Sequence, residues 1–257
     1  MQQLQKPLSL GHQFIELEQV NSTNTYAMQQ IQAKLAQHGF AYFAHTQTNG
    51  RGRQGKVWQT QPKANIILSV VVNASTIGLS NQFYLSVVAA LAVADLLNTF
   101  VTQPIAIKWP NDVYINDSKA AGILIENSLK GNKWQWAVIG IGVNINQTTF
   151  DTSLTNPTSV AAITGQQYHT KDAAKQLCSF LNIRYHQLLN GETENLLNTY
   201  NDLLYKKNQA VKLKKNNIAF NCIIQQVNAM GKLQVKDGLQ DEFDFGEVEW
   251  ILPNPAL

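Results

Sequence analysis

The segment NGRGRQGKVW, residues 49–58, places three glycines and three cations within ten positions. Its glycines and lysine fit two phosphate-binding patterns, GxGxxG and GxxxxGK (Gly50, Gly52, Gly55 and Lys56). Both patterns need a helix that begins at the glycines and points its N-terminus at the phosphates. Here a strand-like segment follows, no acidic residue for a ribose occurs in 48–94, and Val57 stands where magnesium binding needs Ser or Thr. We therefore reject both patterns.

The same loop still offers exposed backbone and positive charge. Arg51 and Arg53 can each bind a phosphate or carboxylate group through two hydrogen bonds, and Lys56 adds a third cation. Because it contains three glycines, we expect the loop to be poorly held by its own packing and to become ordered when an anion binds. The alternatives are a solvated basic loop and an RNA contact, although Gly/Arg RNA-binding segments usually occur in repeats and this one is single.

A second group of reactive side chains lies in KWPNDVYINDSKAAGILIEN, residues 108–127. The proline breaks a strand and places Asp112 at the strand's end, where site residues often lie. A hairpin then returns Lys119, so that it and Lys108 set two cations beside one carboxylate. The small residues up to Gly122 leave room for a ligand against the backbone. An ordinary hairpin with surface charges is the alternative.

Two weaker signals complete the set. In IGIGVNIN, residues 139–146, alternating glycines and Asn144 suit a flat ring packed on the backbone with an amide nearby, although a β-bulge explains them equally well. The NSTN segment at 21–24 could bind a small polar ligand, and it also suits the N-cap of a helix.

Composition narrows the class of protein. The chain has 257 residues, of which 44% are apolar and 14% charged, and its net charge of +3 is too small to indicate nucleic-acid binding. Cys178 and Cys222 follow no metal or redox spacing and are interpreted as buried, reduced thiols of a cytosolic protein. The histidines show no metal-ligand spacing, so no metal-binding residue is predicted. The apolar stretch 83–97 is interrupted by polar residues and predicts a buried helix rather than a membrane span.

These residues need a mixed α/β framework. Strands are predicted over 41–47, 65–72, 105–109, 113–115, 121–126 and 134–146. Helices are predicted from Ser22 to Gly39 with Ala27, Ile31 and Leu35 buried, from Ser80 to near Phe100, from Thr170 to Gly191, and over 195–204. Ser22, Ser80 and Thr170 are predicted to be the N-caps of the first three. Short strands over 210–213, 219–227, 232–236 and 244–252, joined by hairpin turns, predict a small appended β-barrel.

Five segments taken in order closely resemble the biotin protein ligases: STN at 22–24, GRGRQGKVW at 50–58, KWPNDVYI at 108–115, KAAGILIE at 119–126 and GIGVNI at 140–145. The succession GRGR, KWPND and KxxGIL is highly specific, and the resemblance covers the whole chain. It implies an α+β fold, with a mixed β-sheet flanked by helices in a catalytic biotin- and ATP-binding domain over 1–205. It also implies a C-terminal SH3-like β-barrel over 206–257.

The resemblance also implies the chemistry. In these enzymes the carboxylate of biotin attacks the α-phosphate of ATP, pyrophosphate leaves, and biotinyl-5′-AMP acylates a lysine of the biotin carboxyl carrier protein of acetyl-CoA carboxylase. Cations and Mg²⁺ should dominate such catalysis through charge stabilisation. We expect a cytoplasmic enzyme with no membrane partner, and homodimerisation is left open. Because Ser22 lies so near the start, we expect no winged helix-turn-helix and no operator binding.

Site residues carry over by position. Biotin contacts are expected at Ser22, Thr23, Asn24, Gln47, Arg51, Gly52, Arg53, Lys119 and Gly122, and contacts to ATP or the adenylate at Arg51, Arg53, Trp58, Lys119 and Asn144. Catalytic roles are expected for Lys119, Arg53, Asp112 and Lys108, with Asp112 orienting or deprotonating the incoming amine. Val57 stands where some relatives have a cation, which makes this loop less basic.

Two alternatives come from different classes. A lipoate or octanoyl ligase or transferase resembles the same fold, but the GRGR and KWPND segments favour biotin. A nucleic-acid-binding module using the Gly/Arg loop is opposed by the small net charge of +3 and by the single RGR.

Overall fold

The computed structural model describes residues 9–131 and 133–251, and its main element is a seven-stranded mixed sheet. The strands of this sheet are β1 (Gln13–Val20), β2 (Phe40–Gln47), β3 (Ile66–Asn73), β4 (Ile105–Lys108), β5 (Asp112–Ile115), β6 (Ser118–Lys130) and β7 (Lys133–Val143). Their spatial order is β1-β2-β3-β7-β6-β5-β4, with β1 parallel to β2 and the other neighbours antiparallel. The predicted α+β fold with a mixed sheet is confirmed.

Five helices accompany this sheet in the described residues: α1 (Thr23–Gln32), α2 (Gln82–Leu97), α3 (Val160–Thr164), α4 (Thr170–Leu189) and α5 (Thr193–Asp202). Helices α2 and α4 pack on one face of the sheet, and α1 packs on the other with β2, β3 and β7. The stretch Leu79–Leu97 alone among the described residues is long and apolar enough to cross a membrane. Most of its residues are buried against the sheet, as predicted for a core helix.

Helix α1 begins where predicted and ends early. The Ser22 hydroxyl accepts a hydrogen bond from the Thr25 amide and caps the helix. The helix ends at Gln32 rather than near Gly39, because Lys34 adopts a left-handed backbone with φ of 59°. The prediction that Leu35 is buried on this helix is therefore wrong, and its side chain is 65% exposed.

Two predicted caps are also wrong. Ser80 lies in a 3₁₀ turn, Leu79–Asn81, and α2 begins after it at Gln82. Thr170 is the first residue of α4, with His169 at the cap position. Gly191 closes α4 as predicted, with φ of +80°.

The sequence analysis missed β1 and α3. The edge strand β1 pairs on one side only, and the alternation of Ile15 and Leu17 with the exposed Glu16 and Glu18 was a strand signal that was overlooked. Helix α3 has only five residues, too few to show helical periodicity.

The C-terminal region forms a second, five-stranded antiparallel sheet of order β11-β10-β9-β8-β12. Its strands are β8 (Ala210–Lys215), β9 (Ile218–Val227), β10 (Leu233–Lys236), β11 (Glu242–Phe243) and β12 (Glu249–Ile251). Of the strand predicted over 244–252, only β12 is a strand in the described residues, because a turn through Gly246, with φ of +91°, precedes it. Residue 252 lies outside the described residues.

The two sheets meet at the end of β4. Trp109 is buried there and donates its indole N–H to the carbonyl of Gly231 at 2.9 Å. Trp250 on β12 donates to the carbonyl of Trp109 at 3.2 Å. Asn201 on α5 exchanges two hydrogen bonds, of 2.9 and 2.7 Å, with the backbone of Val227 on β9. The second sheet is therefore docked beside the KWPND turn.

Candidate active site

A single row of residues crosses the large sheet and forms the floor of a cleft. Cross-strand pairing aligns one residue from each of β4, β5, β6, β7 and β3: Lys108, Asp112, Gly122, Gly142 and Ile67. Because side chains alternate along a strand, these residues face the side of the sheet that carries α1. The row has charge at one end and bare backbone in the middle.

The bare backbone is covered by Trp58. A methyl group on Gly142 would lie 2.3 Å from Cε2 of the Trp58 indole, and one on Gly122 would lie 2.9 Å from its Cζ3. A flat ring therefore packs on Gly142, as predicted, and it is the side chain of Trp58. Gly140, the other glycine of that prediction, faces Asn24 instead. Its indole N–H is buried and has no hydrogen-bond partner among the described residues.

An uncharged polar network occupies the α1 end of the cleft. Gln47 Oε1 accepts from the amide of Thr23 at 2.7 Å and from its hydroxyl at 3.1 Å. Ser69 on β3 lies 2.8 Å from the Thr23 hydroxyl and donates to Oδ1 of Asn24 at 2.6 Å. Nδ2 of Asn24 donates to the Leu124 carbonyl and to Glu126. Both hydrogens of the Asn24 amide are thus used inside the protein.

The loop over residues 50–58 closes over this network. Arg51 forms an ion pair of 3.0 Å with Glu126 and a β-bridge with Val57. The Gly52 amide donates to Lys56, and the Trp58 amide donates to Gly50. The expectation that this loop is poorly held by its own packing is therefore wrong for this structure, whereas its ordering on ligand binding stays a prediction.

Arg53 connects the loop to the second sheet. Its Cζ lies 2.9 Å from the centre of the Phe245 ring, which follows β11. Burial lowers the pKa of Arg53 to about 10, and Asp112 acts in the opposite direction. Arg53 therefore stays protonated at neutral pH.

Three charged groups meet at the β4 end of the row. Nζ of Lys119 lies 2.7 Å from Oδ1 of Asp112, which confirms that the hairpin returns this lysine to the carboxylate. Lys108 lies opposite Asp112 across the β4–β5 ladder. Its Nζ is 5.4 Å from the ring centre of Tyr114 and 5.4 Å from that of Trp250. The second sheet thus supplies one wall of the charged end.

The segment that follows β7 covers another side. Asn144 is buried, and its Nδ2 donates to the carbonyl of Thr158 at 2.9 Å. The backbone of Lys119 bonds to Asn156 and to Thr158 on that segment. The segment after β7 therefore holds both Asn144 and Lys119 in place through hydrogen bonds.

These walls enclose a cavity of about 810 Å³, which is large enough for an extended small molecule. All thirteen predicted site residues line it: Ser22, Thr23, Asn24, Gln47, Arg51, Gly52, Arg53, Trp58, Lys108, Asp112, Lys119, Gly122 and Asn144. In the described residues no three His, Cys, Asp or Glu side chains are grouped closely enough to hold a metal ion.

Sequence reasoning missed several contributors. Ser69 is the one polar residue within the apolar run 66–72 of β3, so the run itself contained a signal. Phe245 and Trp250 gave no signal, because an aromatic residue in a small sheet is expected in its core. Here both instead approach cations of the cleft.

The geometry suits a ligand with an uncharged polar head and an anionic tail. The head would meet the amide and hydroxyl groups around Thr23, and the tail would meet the cations Lys119 and Arg53. Cations fixed in a partly buried cleft stabilise negative charge that develops in a reaction.

Comparison with known proteins gives a family match. The profile of the "Biotin/lipoate A/B protein ligase family" matches residues 16–144. Among curated proteins, the "Bifunctional ligase/repressor BirA" of Escherichia coli (strain K12) is 34% identical over 137 residues, which are 53% of this chain and 42% of that protein. The "Biotin--[acetyl-CoA-carboxylase] ligase" of Paracoccus denitrificans is 38% identical over 158 residues, 58% of this chain and 63% of that protein. The chain spans less than two thirds of the length of either relative.

Solved structures share the fold over nearly the whole chain. The biotin protein ligase from Aquifex aeolicus in complex with biotin and ATP superimposes with a TM-score of 0.78 at 24% identity, covering 93% of this chain and 98% of that one. The enzyme from Leishmania major in complex with biotinyl-5-AMP gives a TM-score of 0.65 at 24% identity, covering 91% and 99%.

Proposed function

The chain belongs to the biotin/lipoate A/B protein ligase family, and from this premise we propose that it is a biotin–protein ligase. The enzyme would activate biotin with ATP to biotinyl-5′-AMP and transfer biotin to a lysine of the biotin carboxyl carrier protein of acetyl-CoA carboxylase. The observation that carries the proposal is the cavity itself. It joins an uncharged polar network to a cluster of cations and contains all thirteen residues named from the sequence.

Biotin binding would use the polar end of the cleft. Thr23, Ser22 and Gln47 would hold the ureido head. Asn24 would act indirectly, because its side-chain amide is hydrogen-bonded to the Leu124 carbonyl and to Glu126. Gly52 and Gly122 would let the ligand approach the backbone. Arg51 and Arg53 would lie over the carboxylate, where the new acyl-phosphate bond forms.

Adenylate formation would use the charged end. Lys119 and Arg53 would stabilise the negative charge on the α-phosphate as the biotin carboxylate attacks and pyrophosphate leaves. Trp58 and Asn144 would contact the adenine. Mg²⁺ would enter with the ATP phosphates, which together with water are its usual ligands in nucleotide enzymes. Asp112 would orient or deprotonate the acceptor lysine.

The remaining assignments are also proposals. We take residues 1–205 as the catalytic domain and 206–257 as a second domain, whose five-stranded antiparallel sheet supports an SH3-like barrel. We propose a cytoplasmic enzyme without a DNA or membrane partner, and this is supported by the small net charge and the core position of α2. A homodimer through a sheet edge is consistent with the open strand β1.

The test is ATP–pyrophosphate exchange measured with biotin, lipoate and octanoate. We expect exchange with biotin only. Exchange with lipoate or octanoate alone would replace this proposal by an acyl ligase of the same family. Salt-sensitive nucleic-acid binding without any exchange would favour the nucleic-acid-binding alternative.

A further inference from the structure

Lys108 has surroundings unlike those of the other cations in the cleft. It lies at the end of β4, it is half-buried, and its Nζ lies 5.4 Å from the ring centres of both Tyr114 and Trp250. Lys119 is in direct contact with Asp112, whereas no ion pair within 4 Å joins Lys108 to a carboxylate among the described residues. Lys108 is thus a lysine in the cleft whose nitrogen is not engaged by an acid.

Burial and the neighbouring lysines favour the neutral form of Lys108, whereas Asp112 and the two aromatic rings favour the ammonium. Burial lowers the pKa of Lys108 to about 8, Lys119 and Lys56 act in the same direction, and Asp112 acts against them. Tyr114 faces the same nitrogen and stays protonated, because burial raises its pKa. About a tenth of Lys108 is therefore an amine at pH 7 and about half at pH 8, so the basic form is available to act as a general base.

Asp112 is already engaged by neighbouring groups. Its Oδ1 is 2.7 Å from Nζ of Lys119 and 3.2 Å from Nδ2 of Asn111, so two donors already bind this oxygen. Arg53 also acts on the same carboxylate. Asp112 is suited to hold cations in place, including the ammonium of an incoming lysine.

We infer that Lys108 is the group that removes a proton from the acceptor lysine before that lysine attacks the adenylate; this assignment rests on the proposed function. The acceptor ammonium gives one proton to the Lys108 amine and becomes nucleophilic. Its nitrogen then forms a bond to the acyl carbon of biotinyl-AMP, the bond from that carbon to the phosphate oxygen breaks, and AMP leaves. The nitrogen loses its second proton to water, and Lys108 returns its proton to solvent.

The assignment makes a specific claim about pH. Transfer requires neutral Lys108 and can use the protonated acceptor, so the transfer rate should rise to about pH 8 and then level off. Without this base, transfer depends on acceptor that is already deprotonated. The rate should then keep rising toward the ordinary lysine pKa of about 10.4.

The experiment is single-turnover transfer from preformed biotinyl-AMP to the carrier domain, at a series of pH values. It compares the natural chain with Lys108→Arg, which keeps the charge but cannot act as a base, and Lys108→Met, which keeps the length. We expect both variants to lose roughly 10²–10⁴-fold in transfer at pH 7.5 and to lose the levelling near pH 8. Hydroxylamine, which is neutral at that pH, should accept biotin from both variants at nearly the rate of the natural chain.

Three results would overturn the assignment. Full transfer by Lys108→Arg would show that only charge is needed. A profile of the natural chain that rises without levelling would exclude a base of this kind, whatever the variants do. If the variants lose as much transfer rate with hydroxylamine as with the acceptor lysine, Lys108 acts on the adenylate and not on the acceptor amine. Absence of biotin-dependent exchange in the natural chain would instead reject the proposed function, and this assignment with it.

Discussion

Asn24 shows why a residue can be predicted for a site and still act indirectly. Its side-chain amide bonds to Leu124 and Glu126, and its oxygen accepts from Ser69. Glu126 in turn pairs with Arg51 of the loop. Asn24 therefore connects the start of α1 to the loop that closes the cleft. A short polar motif indicates that a helix start faces the cleft, but it does not tell which of its atoms the protein itself uses.

Lys119 should be needed for adenylate formation. Its ammonium lies 2.7 Å from Asp112 and projects into the cleft, where it would meet the charge that develops on the α-phosphate. We expect Lys119→Ala to lower the biotin-dependent exchange rate by about 10²–10³-fold. Lys63→Ala is the control, because Lys63 is mostly exposed and pairs with Glu18 outside the cleft. Equal exchange rates in the two variants would remove Lys119 from the site.

Gly142 should be needed to seat the Trp58 ring. A methyl group there would lie 2.3 Å from the indole, so Gly142→Ala should lower the free energy of unfolding by roughly 1–3 kcal/mol. The loss should be much smaller in a Trp58→Ala background, as measured by urea unfolding of the four chains in the cycle.

Gly140 is the matched control for this cycle, because its added methyl group would meet Asn24 instead of Trp58. Trp58→Ala should therefore not rescue Gly140→Ala. If the effects of Gly142→Ala and Trp58→Ala simply add, the two residues do not contact each other as described.

At the scale of elements, the loop over 50–58 depends on the turn between β11 and β12. The Arg53 guanidinium covers the Phe245 ring, and a methyl group on Gly246 would lie 3.0 Å from the Gln54 side chain. A cation over an aromatic ring contributes about 0.5–2 kcal/mol, which is enough to shift a loop between closed and open forms without unfolding the protein.

Phe245→Ala should open this loop. Because Arg51, Arg53 and Lys56 are potential trypsin sites, we expect faster tryptic cleavage within 51–56 and little change in the free energy of unfolding. Leu239→Ala, at another exposed apolar residue of the C-terminal region, is the control. Arg53→Gly removes the other half of the contact and also one trypsin site, so combining it with Phe245→Ala should not increase cleavage after Arg51 and Lys56 any further. Unchanged cleavage in Phe245→Ala would show that the contact does not hold the loop.

The elements that sequence predicted well are those whose signals are local. The strands on both sides of the KWPND turn are short apolar runs bounded by turn residues, and β3 is a run buried on both faces. Site residues at strand ends followed from these boundaries. The contact of Arg53 with Phe245 and the sharing of Lys108 by Tyr114 and Trp250 did not follow, because docking of one sheet on another leaves no periodic signal.

At the scale of the whole molecule, the second sheet is part of the site. The indole of Trp250 on β12 is hydrogen-bonded to the backbone of Trp109 in the KWPND turn. Hydrogen bonds of Asn201 likewise join α5 to β9. The second sheet therefore fixes the wall beside Lys108, and its loss should affect chemistry as well as stability.

Asn201→Ala should weaken this junction. The substitution leaves the N–H and the carbonyl of Val227 buried without these partners, at a cost of about 1–3 kcal/mol for each group. Asn198→Ala on the exposed side of the same helix is the control. Urea unfolding followed by tryptophan fluorescence measures both. Equal stability of the two variants would contradict the role given to this junction.

The central claim is that the cleft joins biotin to a protein lysine, and mass spectrometry of a carrier domain tests it most directly. The purified chain is incubated with the biotin carboxyl carrier domain, biotin, ATP and Mg²⁺, with biotin or ATP omitted in parallel samples. We expect that one lysine gains the mass of biotin less one water, and only when both substrates are present. An unmodified carrier domain in the complete mixture, or modification that does not need ATP, would contradict the claim.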